Sequence, residues 1–447
     1  MKLNLLSVFT LIFLFISCSS SDSSEDTEDI VVELPTLATV EISNIEETSV
    51  TISSAVSNNG GATVTEKGVV WGASSNPTTS NNKENAGSGT GDFNVTLTNL
   101  ESNTTYYARS YAINSKGTAY GAQKQFTTLE PEPQQKIYTG DLILTSQQEV
   151  DDFGAQNYTV VNGTLSISDS NDPSTIVDLS PLESLTSISN DLIIRGNLLL
   201  TSIEGLNQIT QIGGGLSISA NFQLGTLEVF TQIEILSFLS ITTNPQLTSF
   251  SGLQNLSSVA GDVSIETNYK LIDLSGLNSL TQIINGDLTV RSNDLLTNLE
   301  GLNNLTSIGG ALKIETNDSL IDFTGLDNLQ SLGTSSMAFT WGDLEIDGNL
   351  KLGGLDGLES LTTALDGSIE ITNNPVLLNL DGLANLENMG SPTVSNTIYI
   401  GIQYNDMLSN FCGLKLVFET YGNLITDEII GNATESFNPS TGFDDCP

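Results

Sequence analysis

The chain has 447 residues, of which 53 are acidic, 13 are basic and none is histidine, so its formal net charge is −40. Such a charge repels nucleic acid and anionic membrane surfaces, and the lack of histidine excludes Ser-His-Asp and Cys-His catalysis and histidine metal sites. No phosphate-binding or dinucleotide-binding glycine loop appears between a strand and a helix pattern, so an enzyme built on this chain would have to work with carboxylates.

The first 17 residues are predicted to form a signal peptide. The apolar run from Leu5 to Ile16 is too short to span a membrane and ends at Ser17-Cys18. The ending resembles a bacterial lipoprotein processing site, which implies that Cys18 carries lipid and anchors the chain. Residues 18–33 are rich in Ser, Asp and Glu, so we expect a flexible acidic tether. Acidic residues soon after the cysteine resemble the surface-export signal of Bacteroidetes lipoproteins, which implies the outer membrane, facing the cell exterior.

Residues 34–129 contain short runs of alternating apolar and polar residues separated by Gly, Asn and Ser. Alternation with this punctuation predicts β-strands. Five or more strands in so short a segment predict a β-sandwich. The runs are Val50 to Val56, Val64 to Trp71, Phe93 to Leu97, Tyr106 to Ile113 and Tyr120 to Thr127.

The second half of this segment resembles a fibronectin type III domain. Leu100-x-x-x-Thr104-x-Tyr106 matches its tyrosine-corner region, and Phe126-Thr127-Thr128 resembles its final strand. The usual early tryptophan is absent, and Trp71 on a later strand is the candidate to fill the core instead. Residues 130–137, with Glu130-Pro-Glu-Pro133, are predicted to be a stiff linker.

From about residue 163 onward an asparagine recurs with a period near 24 residues. Apolar residues precede it two apart and follow it three apart, as in Leu288, Val290, Asn293, Leu296 and Leu299. Such a period predicts a stack of repeated β-rich units, each of which buries its apolar side chains against its neighbours. The asparagines are Asn197, Asn221, Asn244, Asn268, Asn293, Asn317, Asn349, Asn374 and Asn405.

The recurring asparagine has a structural explanation that competes with any functional one. An amide side chain both donates and accepts, so a column of asparagines can satisfy backbone groups at the corners of the stack. Glycines that recur in each repeat indicate tight bends or close backbone approach, and Val229 interrupts their column.

The units Asp191-Leu-Ile-Ile-Arg-Gly-Asn197 and Asp287-Leu-Thr-Val-Arg-Ser-Asn293, each followed by a leucine-rich segment, resemble the receptor L domain. The resemblance implies a leucine-rich-repeat-like, right-handed β-solenoid over residues 138–447, and a role in recognition. The predicted fold class is therefore all-β: a fibronectin type III-like β-sandwich followed by this solenoid, with a short capping helix. Ser146-Gln-Gln-Glu149 has the spacing of a capping box and places that helix at the start of the solenoid.

Cys412 and Cys446 flank the last repeat and the irregular tail. In an exported chain two such cysteines are expected to form a disulfide, although two buried free thiols remain the alternative. Neither arrangement indicates catalysis.

The outward side of one strand per repeat is the best extended recognition surface, with a plain solvated face as the alternative. Two longer repeats add loops, one of which carries Met337, Phe339 and Trp341; these side chains either anchor a ligand or pack back on the stack. Arg195 and Arg291 add rare positive charge, so these five residues are the candidate ligand-binding set.

No catalytic residue, metal site or cofactor is assigned. Acidic residues recur once per repeat and lack the dense pattern of a calcium loop, so the sequence leaves calcium binding open. We expect a non-enzymatic cell-surface lipoprotein that presents its solenoid for adhesion or ligand binding, with an extracellular protein or glycan as partner. The alternatives are a carboxylate-dependent polysaccharide-degrading enzyme and a purely structural envelope protein.

Overall fold

The structure is a computed structural model that describes residues 31–131, 134–169, 173–333, 344–365, 368–390, 398–433, 443 and 446. The chain divides into two compact units, Met1–Gln134 and Gln135–Pro447, and the second is called the repeat region below. Strands dominate both units. No helix within the described ranges is long and apolar enough to cross a lipid bilayer.

The first unit is a sandwich of two antiparallel sheets. β3 pairs with β1, β2 and β6, while β4 pairs with β5 and β7, and β8 and β9 both pair with β7. Both sheets contribute to one core, which confirms the prediction of a fibronectin type III-like β-sandwich. The strands are β1 (Thr36–Leu37), β2 (Glu41–Ser43), β3 (Val50–Asn58), β4 (Glu66–Gly72), β5 (Asn82–Gly87), β6 (Gly91–Leu97), β7 (Thr105–Asn114), β8 (Gly117–Tyr120) and β9 (Lys124–Thr127).

The tyrosine-corner region has the contact that its name implies. The Tyr106 hydroxyl accepts a hydrogen bond from the Glu101 N–H at 3.0 Å. Trp71 is half-buried and packs edge-on against Tyr106, with ring centroids 5.5 Å apart. The prediction of one continuous strand from Tyr120 to Thr127 is wrong: the segment breaks at Gly121, where a β-carbon would overlap the Ser110 hydroxyl.

The repeat region alternates longer and shorter strands along the chain. Its first strand begins at Ile137, inside the predicted linker. In chain order the strands are β10 (Ile137–Thr139), β11 (Leu142–Leu144), β12 (Val160–Asn162), β13 (Leu165–Ser168), β14 (Ser187–Ile188), β15 (Leu192–Arg195), β16 (Gln211–Ile212), β17 (Leu216–Ser219), β18 (Ile235–Leu236), β19 (Leu239–Thr242), β20 (Ser258–Val259), β21 (Val263–Glu266), β22 (Gln282–Ile283), β23 (Leu288–Arg291), β24 (Ser307–Ile308), β25 (Leu312–Glu315), β26 (Ser331–Leu332), β27 (Leu344–Asp347), β28 (Thr363–Ala364), β29 (Ser368–Thr372), β30 (Asn388–Met389), β31 (Ile398–Gln403) and β32 (Ile425–Ile430).

The longer strands form one parallel sheet of 12 strands, which is consistent with a solenoid. Its order is β11-β13-β15-β17-β19-β21-β23-β25-β27-β29-β31-β32. The register is strict, because Leu192 lies opposite Leu216, and Leu216 lies opposite Leu239. The shorter strands form a second row that is interrupted: a 4-stranded sheet, β10-β12-β14-β16, and a 7-stranded sheet, β18-β20-β22-β24-β26-β28-β30.

One continuous apolar core runs through the repeat region from Leu142 to Val417. Alternate residues of each long strand point into it: Leu288 and Val290 of β23 are fully buried, whereas Thr289 and Arg291 face outward. The apolar pattern of the sequence therefore corresponds to columns of aliphatic side chains stacked from repeat to repeat, about 4.8 Å apart.

Short helices and a disulfide lie at the two ends of this core. Helix α1 (Gln147–Gly154) buries Val150 and Phe153, and the Ser146 hydroxyl accepts the Glu149 N–H at its start. Helix α1 follows the long strand β11 and packs next to the 3-10 turn Ser180–Leu182, which follows β13 in the next repeat. Helix α2 (Lys415–Tyr421) lies near the other end, where Cys412 and Cys446 form a disulfide with Cα atoms 5.4 Å apart.

Candidate binding face of the long parallel sheet

The nine ladder asparagines are all fully buried and hydrogen-bonded from one repeat to the next. Asn293 is typical. Its backbone N–H donates to the Asn317 side-chain oxygen at 3.0 Å, and its Nδ2 donates to the Ile265 carbonyl at 2.9 Å. Its own Oδ1 accepts the backbone N–H of Asn268 at 3.1 Å. The ladder thus joins three successive repeats at a corner where strand pairing has ended.

The ladder extends one position further at each end than the sequence analysis predicts. Asn432 accepts the Asn405 N–H at 3.1 Å and donates to the Ile402 carbonyl at 2.8 Å. At the other end Asp169 occupies the same position, and its N–H donates to Asn197 Oδ1 at 3.1 Å. Asn432 lies 27 residues after Asn405, close to the repeat period, so its position in the sequence could have indicated a further ladder residue. No leucine-rich segment follows Asn432, and the sequence pattern of a repeat is therefore incomplete there.

The outward face of the 12-stranded sheet is the candidate binding face. Register keeps its side chains in two columns, because Ser217 lies opposite Ser240, and Ser219 opposite Thr242. Over β13 to β21 the columns are mostly Ser and Thr, whereas over β23 to β29 they are mostly charged. The charged half comprises Arg291, Lys313, Glu315, Glu345, Asp347 and Glu370.

Ion pairs offset part of the acidity of the charged half. Lys313 Nζ lies 2.8 Å from Asp287, and Arg291 Nε lies 3.4 Å from Glu315. Burial lowers the pKa of the Lys313 ammonium, but the hydrogen bond to Asp287 and the nearby carboxylates outweigh it, so that pKa is raised. Burial, and then the Glu315 carboxylate, raises the pKa of Glu345 above its ordinary value of 4.5.

Of the five predicted ligand-binding residues, Arg195 and Arg291 lie in the described part of the chain, and the structure does not bring these two together. Arg195 and Arg291 are both exposed on the outward face, but four strand spacings separate them, about 19 Å at ~4.8 Å per strand. Met337, Phe339 and Trp341 lie outside the described residues, as does the predicted lipidation site Cys18. Glu370 and Glu428 continue the outward face on later strands of the same sheet.

Acidic residues recur once per repeat at another corner of the stack and are not gathered into one cluster. Glu204, Glu228, Glu300, Asp356 and Asp381 are each exposed in their own repeat. Among the described residues, no group of three or more Asp, Glu or Cys side chains is placed to hold a metal ion.

No protein-family model matches this chain, and no curated protein sequence matches it. Solved structures similar to part of it include the sensor domain of the anti-sigma factor RsgI4 in Pseudobacteroides cellulosolvens, at 23% identity over 22% of this chain and 99% of that chain, with a TM-score of 0.18. Domains A168–A170 of titin are 24% identical over 22% of this chain and 33% of that chain, with a TM-score of 0.18. A fibronectin type III domain of the human KIAA0970 protein is 20% identical over 26% of this chain and 90% of that chain, with a TM-score of 0.19.

Proposed function

We propose that this chain is a non-enzymatic lipoprotein of the cell surface, held at the outer membrane by lipid on Cys18. In this proposal the repeat region is a receptor-L-like solenoid, and its outward sheet face binds an extracellular protein or glycan. One observation supports the proposal most strongly. Strict register over the 12-stranded sheet aligns two columns of mostly polar side chains into one long solvent-facing surface.

The Ser and Thr half of this face suits contact with hydroxyl and amide groups of a ligand. Its hydroxyls donate and accept, while short side chains allow close approach of another surface. Arg195 stands between Ser168 and Ser219 in register, and no described residue forms an ion pair with it. It is therefore the cation on this half that a ligand would meet first.

Glycan arrays and pull-downs from surface extracts test the binding role. A Ser217→Arg, Ser240→Arg variant places two bulky cations on the face and should lose saturable binding. The matched control is Ser251→Arg, Ser275→Arg, since both serines are exposed at another corner of the same stack. Absence of any saturable partner, or equal loss in both variants, contradicts the proposed face.

The anchor is tested separately. A Cys18→Ala chain should carry no lipid and should leave the membrane fraction. If the variant still partitions into membranes with attached lipid, the anchoring part of the proposal is wrong. That result would leave the proposed binding face untested, because the binding experiment is separate.

A second candidate function is a carboxylate-dependent polysaccharide hydrolase. The observation that favours it is a row of carboxylates on adjacent strands, in which Glu345 lies opposite Glu370 and next to the strand that carries Glu315. Burial raises the pKa of Glu345, which is the direction that a proton donor requires. Release of reducing ends from a polysaccharide panel, lost in Glu345→Gln, would support this candidate. No release from any polysaccharide contradicts it.

A further inference from the structure

The stack of repeats is open along one boundary. Residues 192–215 and 216–238 form two successive repeats, and their long strands β15 and β17 pair in full register. Their short strands β16 and β18 do not pair, and the second row of strands breaks there. We call the boundary between residues 198–213 and 222–236 the seam; both segments are fully described, and no hydrogen bond crosses it.

Neighbouring boundaries show what the seam lacks. On one side the Thr210 N–H donates to the Thr186 carbonyl at 2.9 Å, and on the other the Ser257 N–H donates to the Glu234 carbonyl at 2.8 Å. The equivalent bond from Glu234 to Thr210 is not formed. The seam is closed at its two ends, by Asn197 N–H to Asn221 Oδ1 and by Ser237 N–H to the Gly214 carbonyl.

Two cavities lie in the seam. The larger, of about 510 Å³, separates β16 from β18, and the smaller, of about 280 Å³, lies near Val229. No lysine or arginine lines either cavity, whereas Glu204, Glu228 and Glu234 do. The apolar interior beneath remains covered, since Ile233 and Leu236 are buried. The opening therefore exposes backbone edges rather than the core.

Val229 accounts for the opening. It stands where neighbouring repeats have Gly205 and Gly252, and a β-carbon at either glycine would overlap the carbonyl of Leu179 or Leu227 in the preceding repeat. The corresponding carbonyl for Val229 belongs to Ile203, and both residues line the smaller cavity. Since Val229 is only 7% exposed, its side chain does not escape to solvent, and the two repeats stand apart instead.

From this geometry we propose that the seam binds an extended peptide segment of a partner protein. The peptide pairs its main chain with the unpaired edges of β16 and β18, as an added strand does at a sheet edge. Glu234 and the other carboxylates select a neutral or basic segment, and Ile235, which is 61% exposed, contacts an apolar side chain of it. The seam is therefore a second binding site, separate from the outward face proposed above and independent of it.

A library of random dodecapeptides displayed on phage, panned against the full chain, tests this inference. Enriched peptides are expected to be extended and poor in Asp and Glu. Val229→Gly removes the β-carbon that holds the seam open, so it should slow amide hydrogen exchange at Ile235 and weaken peptide binding at least tenfold. Val229→Ala is the matched control because it retains the β-carbon and should bind as the wild type does.

Two further results separate the seam from the outward face. N-methylation of alternate peptide amides should abolish binding, since it removes the main-chain donors, and the Ser217→Arg, Ser240→Arg variant should bind peptides normally. No enrichment, unchanged exchange at Ile235 in Val229→Gly, or equal peptide affinity in that variant overturns the inference. Peptide binding lost only with the outward-face variant overturns it too, while leaving the proposed function intact.

Discussion

A ladder asparagine such as Asn293 serves backbone groups that no strand can reach. Its Nδ2 donates to the Ile265 and Arg291 carbonyls, and its Oδ1 accepts from the backbone N–H and the Nδ2 of Asn268. The side chain is fully buried. Of the common side chains, only an uncharged amide donates and accepts at this length. Aspartate appears at this position only at the partly exposed first rung, Asp169, where the Ser174 hydroxyl and the Ile176 N–H donate to its carboxylate.

Replacing Asn293 with alanine should therefore be costly. The substitution leaves buried donors and acceptors in two repeats unpaired, at about 1–3 kcal/mol for each group that finds no water. We expect the urea midpoint of the repeat region to fall well below that of the wild type. Asn304→Ala, which removes one exposed bond to the Asn278 carbonyl, is the control and should change the midpoint little. Equal effects of the two substitutions would show that the ladder does not stabilise the stack.

The residue before each ladder asparagine adopts a left-handed backbone conformation. Gly196 and Gly348 suit it, but Thr243, Thr267 and Thr316 do so with φ between 51° and 58°. A β-branched residue in the left-handed conformation destabilises the fold by roughly 1–3 kcal/mol. The hydrogen bonds of the asparagine ladder hold the backbone in that conformation nevertheless.

Thr267→Gly should consequently stabilise the protein. Relief of the strain exceeds the extra flexibility of an unfolded glycine, which costs about 0.5–1 kcal/mol, so we expect a net gain of about 1 kcal/mol. Differential scanning calorimetry measures it as a higher unfolding temperature. Thr267→Ala retains a β-carbon and should gain clearly less; a larger gain for alanine than for glycine would refute the strain argument.

At the scale of elements, adjacent strands of the charged half place like charges in register. Glu345 of β27 lies between Lys313 of β25 and Glu370 of β29. Its pKa is raised by burial first and then by Glu315, so the folded protein holds its proton more tightly than the unfolded chain does. The ionised form of Glu345 therefore destabilises the folded state at neutral pH.

Glu345→Gln should stabilise the protein at pH 7. The gain is fully present above the raised pKa of Glu345, shrinks as the pH falls through it, and vanishes below the ordinary value of 4.5, because wild-type Glu345 is then neutral as well. Urea midpoints of both proteins between pH 4 and pH 8 measure it, with exposed Asp427→Asn as the control. A gain that grows with falling pH would contradict the sign.

Sequence periodicity predicted the long strands well and some other elements poorly. Leu288 and Val290 recur in phase because each repeat must bury the same two side chains, so pattern and structure coincide. β5 was missed, because Asn82–Gly87 lies at a sheet edge with no buried face and so has no apolar alternation. The outward charges of Glu345 and Glu370 carry no periodic signal, since solvent tolerates most residues there.

For the whole repeat region, stability is the sum of contacts between neighbouring repeats, so a single poor boundary remains local. Val229 was recognisable in the sequence as an interruption of the glycine column. The opening of the seam was not recognisable in the sequence. It depends on the Ile203 carbonyl in the preceding repeat and on the burial of the Val229 side chain. The 12-stranded sheet stays continuous past it, and the interruption is confined to the seam, which includes the short strands β16 and β18 and the segments around Val229.

The disulfide at the end of the stack should protect the last repeats in particular. Cys412 and Cys446 are 34 residues apart, and closing a loop of this length contributes about 4 kcal/mol in the chain-entropy model. The bond also holds the segment near α2, where Lys415 donates to the Cys446 carbonyl at 3.1 Å.

Without it, β32 becomes a less protected terminal strand, and opening spreads inward from that end. A Cys412→Ser, Cys446→Ser variant should therefore exchange the amides of Ile425–Ile430 much faster than wild type. The amides of Leu216–Ser219, far along the sheet, should be unchanged and serve as the internal control. Uniform acceleration along the whole sheet would mean that the repeats unfold as one cooperative block and that their contacts are not local.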